Sequence, residues 1–458
     1  IHLPIGIDQN IFYKEVDFEN REYDFVISTP LKLDALGSHY WFRKSSILVE
    51  DILLELSSRN YKILVLGKDW DKSFLAGNQN IKLMLEQTKK LVKTEIAPYT
   101  LLWENEGKGV PSEVIKMLGD LGYFGILIDN KFGGLNQSIA NYTKITEILA
   151  MGDCGLTNLV NVSNSPVAMA IERYGSAYQQ SKYLHGMATG KMIGCFMLSE
   201  PSSGSDASSI ETTAKKVSGG YVINGRKKFV TGGASASVAL VAAKTNKNIG
   251  KKGISLFLVP RESYEIGRLE NKMGHRNIDT ADVIFDDSKV SDNTLLGELG
   301  SGYSICLTLL NTGRIAVAAQ AIGVASAAFE KARSYALERK TFGKTLINHQ
   351  SLSFRLTDMA TQIISARQLA LFAAQKADAG ERCIAESSMA KIYASEIAEK
   401  VTSSAIQIFG GDGYLQETGI EKLYRDARVL SIYEGTNDIQ RIVIGREIES
   451  GWSPNQIS

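Results

Sequence analysis

The hydrophobic period of this chain changes twice, and that constrains the fold more than any single motif. Between about residues 80 and 190, apolar residues recur at helical spacing. "IKLMLEQTKKLVKTEIAPY" sets Ile81, Leu85, Val92 and Ile96 on one side and stops at Pro98. Further amphipathic runs lie at 112–122, at 139–151 and around 165–190. From roughly 195 to 300 the pattern becomes short apolar bursts divided by Gly, Ser and Asn: "KMIGCFMLSE", "ETTAKKV", "GYVINGRKKFVTGG", "ASVALVAAK", "GISLFLVPR" and "ADVIFDDSKV". These read as an antiparallel β domain. After Gly302 long Ala-rich helices return at 303–337, 350–379 and 384–409, with a last one from 437. Helices, then strands, then helices, without βα alternation, exclude a doubly wound sheet. The expected class is mainly α with a central antiparallel β domain.

Residues 1–77 stand apart. "YDFVIST" (23–29) and "YKILVLG" (61–67) are strand-like, with a helical pattern over 43–60 between them, which makes one βαβ unit. Such a unit is too small to bury both faces of its own sheet. Its opening, "HLPIGIDQNIF", resembles the start of the nucleotide-sugar-binding half of GT-B-type glycosyltransferases, but the donor-binding segments that should follow are absent. The expected division is an N-terminal extension (1–77), a helical domain (78–194), a middle β domain (195–302) and a C-terminal helical bundle (303–458). The chain opens on Ile1, as a piece of a longer protein would, and a targeting signal would lie in what is missing.

Charge narrows the function classes. Lys and Arg number 51 against 50 Asp and Glu, with no dense basic run, which argues against nucleic acid. No uninterrupted apolar stretch is long enough to span a bilayer. Four scattered cysteines without CxxC spacing read as reduced thiols in a cytosol-like compartment, or the mitochondrial matrix in a eukaryote. Five histidines never fall at ligand spacing, so no metal is expected.

Five segments carry candidate chemistry. "FMLSEPSSGSD" (196–206) ends a strand in a Ser/Gly loop, whose N–H groups and hydroxyls suit a diphosphate or a flat heteroaromatic edge. "RKKFVTGG" (226–233) puts Phe229 and Thr231 on one face of a strand. "ERKTFGK" (338–344) breaks a helix with a charged turn, from which Arg339 could meet a phosphate. "AIQIFGGDGY" (405–414) closes a helix on paired glycines with Gln407 a turn back. "LSIYEGTNDIQRI" (430–442) sets Glu434 against Gly435 between two helical runs. Taken singly, each of these also reads as a plain turn, strand end or helix cap.

In this order and on this layout, the five together resemble the acyl-CoA dehydrogenase family from about 80 to 450. The resemblance implies an α-helical, β-barrel, α-helical fold holding FAD. It implies that Phe196, Leu198, Ser199, Gly204 and Ser205 run along the flavin and its ribityl-phosphate chain, with Phe229 and Thr231 flanking the ring. It implies that Arg339, Phe342, Gln350, Gln407, Gly410 and Gly411 grip the FAD of a neighbouring subunit, usually within a tetramer, and that Thr436 and Asn437 reach its adenosine side. The implied substrate is an acyl-CoA or acyl-carrier thioester of short to medium chain, oxidised to the trans-2-enoyl product, with an electron-transferring flavoprotein as acceptor. Ser205, Asn311, Arg314 and Gly435 are its implied contacts.

Glu434 is then the expected α-proton base. A thioester α C–H is a weak acid, so its carbonyl must be polarised while a hydride leaves the β carbon. A carboxylate in a dry pocket has a raised pKa and is the stronger base. Gly435 is expected to clear space for substrate, and the Glu434 N–H to bond the thioester oxygen. A branch of the family carries its base near 311–314, where this chain has Gly313, so a glutamate placed there in a Glu434→Gln protein is expected to restore activity. Asn311 stands where relatives have Asp, and Asp438 where they have Gln or Glu. Two enzymatic alternatives are an oxidase of the same fold using O₂ and a glycosyltransferase read from residues 1–77. A third reading is a non-catalytic FAD-binding scaffold.

Overall fold

A computed structural model describes residues 81–455. The expected βαβ unit and its glycosyltransferase-like opening lie outside those residues. The helical N-terminal part comprises α1 (Ile81–Leu91), α2 (Thr100–Glu106), α3 (Ser112–Asp120), α4 (Ile139–Gly152), α5 (Cys154–Val162), α6 (Met169–Tyr174) and α7 (Ala177–Ala188). α2 and α5 are additions to the sequence reading. α5 is only nine residues long and is buried along nearly its whole length, polar residues included.

Eight strands follow: β1 (Gly194–Met197), β2 (Thr213–Val217), β3 (Gly220–Thr231), β4 (Val238–Lys244), β5 (Ile254–Pro260), β6 (Glu265–Leu269), β7 (Thr280–Ser291) and β8 (Leu295–Leu296). They form one sheet in the order β6-β7-β3-β2-β4-β5-β8, with β1 on β4. The pairing is antiparallel throughout except that β4 runs parallel to β1 and touches β2 in parallel. The sheet is therefore mixed where an antiparallel one was expected, because β1 enters from α7 and runs alongside the later β4. Between Lys227 and Val230 the β3–β7 register slips, and Phe229 inside that bulge has φ +60°. A bulge turns a side chain off its strand face, and Phe229 is left 62 % exposed.

The C-terminal part holds α8 (Gly302–Glu338), a two-strand hairpin of β9 (Lys340–Thr341) and β10 (Lys344–Thr345), then α9 (Gln350–Asp378), α10 (Ile384–Phe409), α11 (Ile420–Arg428) and α12 (Asn437–Glu449). The three long helices end within two residues of expectation. α8 is buried on all sides from Thr312 to Ala328. It alone, among the described residues, is long and apolar enough to cross a membrane, and most of its apolar window is packed inside the protein.

A buried ionic knot locks three parts of the chain together beneath the 429–436 loop. Lys422 on α11 pairs with Asp153 at 3.0 Å and with Asp426 at 2.6 Å. Asp153 also caps α5 through Leu156 N and accepts from Asn277 Nδ2 at 2.7 Å. Asp426 accepts the His275 N–H at 2.6 Å. Burial works against the Asp153 carboxylate, but Lys422 and these donors hold it down at about 2. The knot fixes where α11 ends, and so where the following loop begins.

Candidate active site

Glu434 sits in the bend between the turn Val429–Ser431 and α12. Its backbone is left-handed, φ +55°, and Gly435 follows at +87°. That conformation costs a residue with a side chain ~1–2 kcal/mol, whereas glycine adopts it freely. Two side chains hold the turn by its carbonyls. Gln440 Nε2 donates to Glu434 O at 3.0 Å and to Gly435 O at 3.1 Å, and Lys391 Nζ donates to Gly435 O at 2.9 Å. A β-carbon on Gly435 would lie 2.5 Å from Gln440 Nε2. Gln440 Nε2 is the end of a flexible side chain, so the left-handed φ is what favours glycine at 435.

The Glu434 side chain reaches α8. A β-carbon on Gly313 would lie 2.6 Å from Glu434 Oε2. Glu434 as a residue keeps some solvent contact, but Oε2 is sealed and has no hydrogen-bond partner. Burial pushes its pKa up to about 7, against the pull of Arg314 and Lys391. Arg314, one residue after Gly313, is 5 % exposed and donates from Nη1 to Asn311 Oδ1 at 2.8 Å, while its Nε has no partner. The Tyr142 phenol and Tyr433 also feel the Glu434 charge. Tyr433 donates to Gln320 Oε1 at 2.6 Å, and Tyr142 to Asn161 Oδ1 at 2.8 Å. An unpartnered carboxylate oxygen between two buried cations is costly to the free protein and suited to receiving a proton.

The 196–206 and 226–231 segments are drawn together by a buried pair. Lys227 Nζ lies 2.6 Å from Glu200 Oε1, and both side chains are almost fully buried. Burial works against the Glu200 carboxylate, but Lys227 and the N–H groups of Glu211 and Thr212 hold it below its ordinary value. Lys227 also donates to Leu198 O at 3.2 Å, and Lys228 N to Ser199 O at 2.9 Å. Phe196 and Leu198 pack half-buried against the core, Ser199 is half-buried, and Gly204 and Ser205 are exposed. Thr231 Oγ1 accepts from Asn158 Nδ2 at 3.2 Å.

A third set lies on the outside, at the ends of α8, α9 and α10. Arg339, Phe342, Gln350, Gln407, Gly410 and Gly411 are all exposed, Phe342 to 97 %. Thr436 caps α12 by accepting from Ile439 N at 3.2 Å. The Asn437 amide faces inward, its Oδ1 accepting from Lys391 and its Nδ2 donating to Ser395 Oγ at 3.1 Å. Lys391, Gln440, Glu200 and Lys227 escaped the sequence reading. For Lys391 a signal existed: Ser387, Lys391, Ala394, Ser395 and Ala398 recur at helical spacing, a lysine inside a stripe of small residues. A cleft of about 560 Å³ beside Glu330, Tyr335 and Phe409 holds none of these groups. It begins about 25 Å along α8 from Gly313 at the usual rise per residue.

Comparison with known proteins matches three family models: acyl-CoA dehydrogenase N-terminal domain over 78–191, middle domain over 195–288 and C-terminal domain over 300–449. An acyl-CoA dehydrogenase of Bacillus subtilis is 38 % identical over 371 residues, covering 81 % of this chain and 98 % of that protein. A short-chain specific acyl-CoA dehydrogenase, mitochondrial, of Rattus norvegicus is 38 % identical over 364 residues, covering 79 % of this chain and 88 % of that protein. The solved butyryl-CoA dehydrogenase from Megasphaera elsdenii superposes with a TM-score of 0.79 at 35 % identity, covering 83 % of this chain and all of that one.

Proposed function

The chain belongs to the acyl-CoA dehydrogenase family, FAD-dependent oxidoreductases of the CH–CH bond, and on that footing we propose that Glu434 removes the α proton of the acyl-CoA thioester. The observation that carries this is the sealed, unpartnered Oε2, facing the space Gly313 leaves open. With its pKa pushed to about 7, the carboxylate is a far stronger base than an exposed glutamate and remains substantially ionised near neutrality. Arg314 and Lys391 stabilise the ionised form, and the proton neutralises it as the α carbon gives up its C–H pair to the new double bond. The left-handed turn presents the Glu434 N–H for the thioester oxygen, which lowers the cost of charge developing there.

The residues present fit FAD. Phe229 and Phe342 hold aromatic rings outward at φ +60° and +51°, and a β-carbon on Gly204, Gly410 or Gly411 would meet nothing within 4 Å. Exposed rings beside open Ser/Gly loops are what a flat ring system on a diphosphate tail requires. When bound, FAD supplies the acceptor for the hydride leaving the β carbon. Phe196, Leu198, Ser199, Gly204, Ser205, Phe229 and Thr231 are the proposed contacts along it. Arg339, Phe342, Gln350, Gln407, Gly410 and Gly411 are proposed to reach the FAD of a neighbouring copy in a tetramer. Their exposure on the single chain supports that reading.

A short acyl chain is the proposed substrate, supported by relatives named for short chains and for butyryl-CoA. An electron-transferring flavoprotein is the proposed acceptor. Four free, buried thiols support a reducing compartment, the cytosol or the mitochondrial matrix. The test is anaerobic titration of the yellow protein with acyl-CoAs of graded length. Bleaching should be strongest for short chains in the wild type and slowed at least 10²-fold, about 2.7 kcal/mol, in Glu434→Gln. Wild-type bleaching by Glu434→Gln overturns the assignment of the base.

A further inference from the structure

We propose that Lys391 is a positioning residue for this reaction: its buried ammonium fixes the Glu434–Gly435 turn and places a positive charge beside the carboxylate. The proposal rests on Glu434 being the base. Lys391 lies on α10, 0 % exposed, 43 residues before Glu434 in sequence. Its Nζ donates to Gly435 O at 2.9 Å and to Asn437 Oδ1 at 2.9 Å, so it grips the residues on either side of Thr436, just after the base. Asn437 is in turn held by Ser395, one helical turn further along α10. Gln440 on α12 holds the same carbonyl from the other side. The turn carrying Glu434 is therefore suspended between two helices by side-chain donors.

Among the described residues no carboxylate lies within ion-pairing distance of Lys391. A fully buried ammonium satisfied only by a carbonyl and an amide is an expensive way to cap a turn. A neutral donor such as glutamine would do that without the desolvation. The charge has a use if it acts on Glu434. The groups facing Glu434 are Arg314 and Cys306 from α8, Lys391 from α10, Tyr142 from α4 and the adjoining Tyr433. Those facing Lys391 are Glu434, Arg314 and Glu396. Burial pulls the Lys391 pKa down to about 7, opposed first by Glu434. Both members of the pair thus change charge in one pH interval, and each favours the charged form of the other.

The experiment compares wild type, Lys391→Met and Lys391→Gln as FAD-loaded enzymes. Lys391→Met removes both the donor and the charge, and should lower kcat at least tenfold at neutral pH with little change in KM. Losing the cation raises the pKa of Glu434, so the acid limb of kcat/KM should move to higher pH. Lys391→Gln should recover part of kcat by restoring a donor, with the acid limb still displaced. FAD content and melting temperature report folding, and if Lys391→Met fails to fold, the limb in Lys391→Gln decides. An acid limb that stays at the wild-type pH in the folded variants overturns the proposal, leaving Lys391 a structural cap. The two readings part cleanly: an active Glu434→Gln removes the base, whereas an inactive Glu434→Gln beside an unshifted Lys391 series removes only this inference.

Discussion

Replacing Gly313 with alanine should separate folding from chemistry. The new β-carbon would start 2.6 Å from Glu434 Oε2, and no other heavy atom outside the helix comes nearer than the rest of that carboxylate. Nonbonded heavy atoms settle at roughly 3.5 Å or more, so the carboxylate must retreat by about 0.9 Å. It can do so cheaply, as the far end of a flexible side chain. The helix itself gains, because glycine inside a helix is about 0.8–1 kcal/mol less favourable than alanine. The protein should therefore melt no lower than wild type and keep its FAD. A displacement near 1 Å of a reacting group costs on the order of 10²-fold in rate, about 2.7 kcal/mol. Stopped-flow bleaching of the flavin by a saturating acyl-CoA measures that step directly. A Gly313→Ala protein with wild-type bleaching refutes the geometry on which the reasoning stands. A glutamate at 313 would contest the same space with the glutamine of a Glu434→Gln protein, so rescue is expected to be larger in a Glu434→Gly background, which also suits the left-handed φ.

Three other outcomes follow from the geometry. Since burial holds Glu434 at about 7, kcat/KM should rise with pH as the carboxylate ionises and level off above about 8, and a pH–rate profile with its acid limb near 4.5 contradicts the sealed Oε2. Lys422→Met leaves Asp153 and Asp426 buried without their cation and should destabilise by ~3–5 kcal/mol in urea unfolding. In the wild type, Asp153 lies below its ordinary value of 3.8, so its contribution is present above that value and lost as pH falls toward 2. Arg339→Ala should weaken FAD retention roughly 10- to 100-fold by removing a charge-assisted phosphate bond; a fully loaded monomer in sedimentation would sink the cross-subunit assignment.

The layer order was legible from the change of pattern, and the long helices from their length, their Ala-rich composition and the glycines near their ends. What escaped did so for physical reasons. α5 is nine residues long, too short for its pattern to stand out beside α4, and β6 is a five-residue strand exposed at the sheet edge, with no buried face to set an alternation. The parallel β1–β4 contact joins strands 44 residues apart and leaves no local trace. At the site, Glu434 and Arg314 could be named from motifs, since acids and arginines beside glycines are conspicuous. Their electrostatics could not, because the pKa of Glu434 is set first by burial, then by Arg314 and by a lysine from another helix. Nor did the motif show that the Asn437 amide bonds inward to that same lysine.

If Glu434 is the base, a lineage moving that role to the helix at 313 would have to set both acids in one small space along the way. A glutamate at 313 begins inside the space of the one at 434. If 434 changes first, no base remains; if 313 changes first, the existing base is displaced. Either order passes through a crippled enzyme, so the two arrangements are divided by a trough in fitness and not joined by a neutral ridge. Selection would then hold a lineage to whichever side it began on, and crossing would need a spare gene copy freed from it.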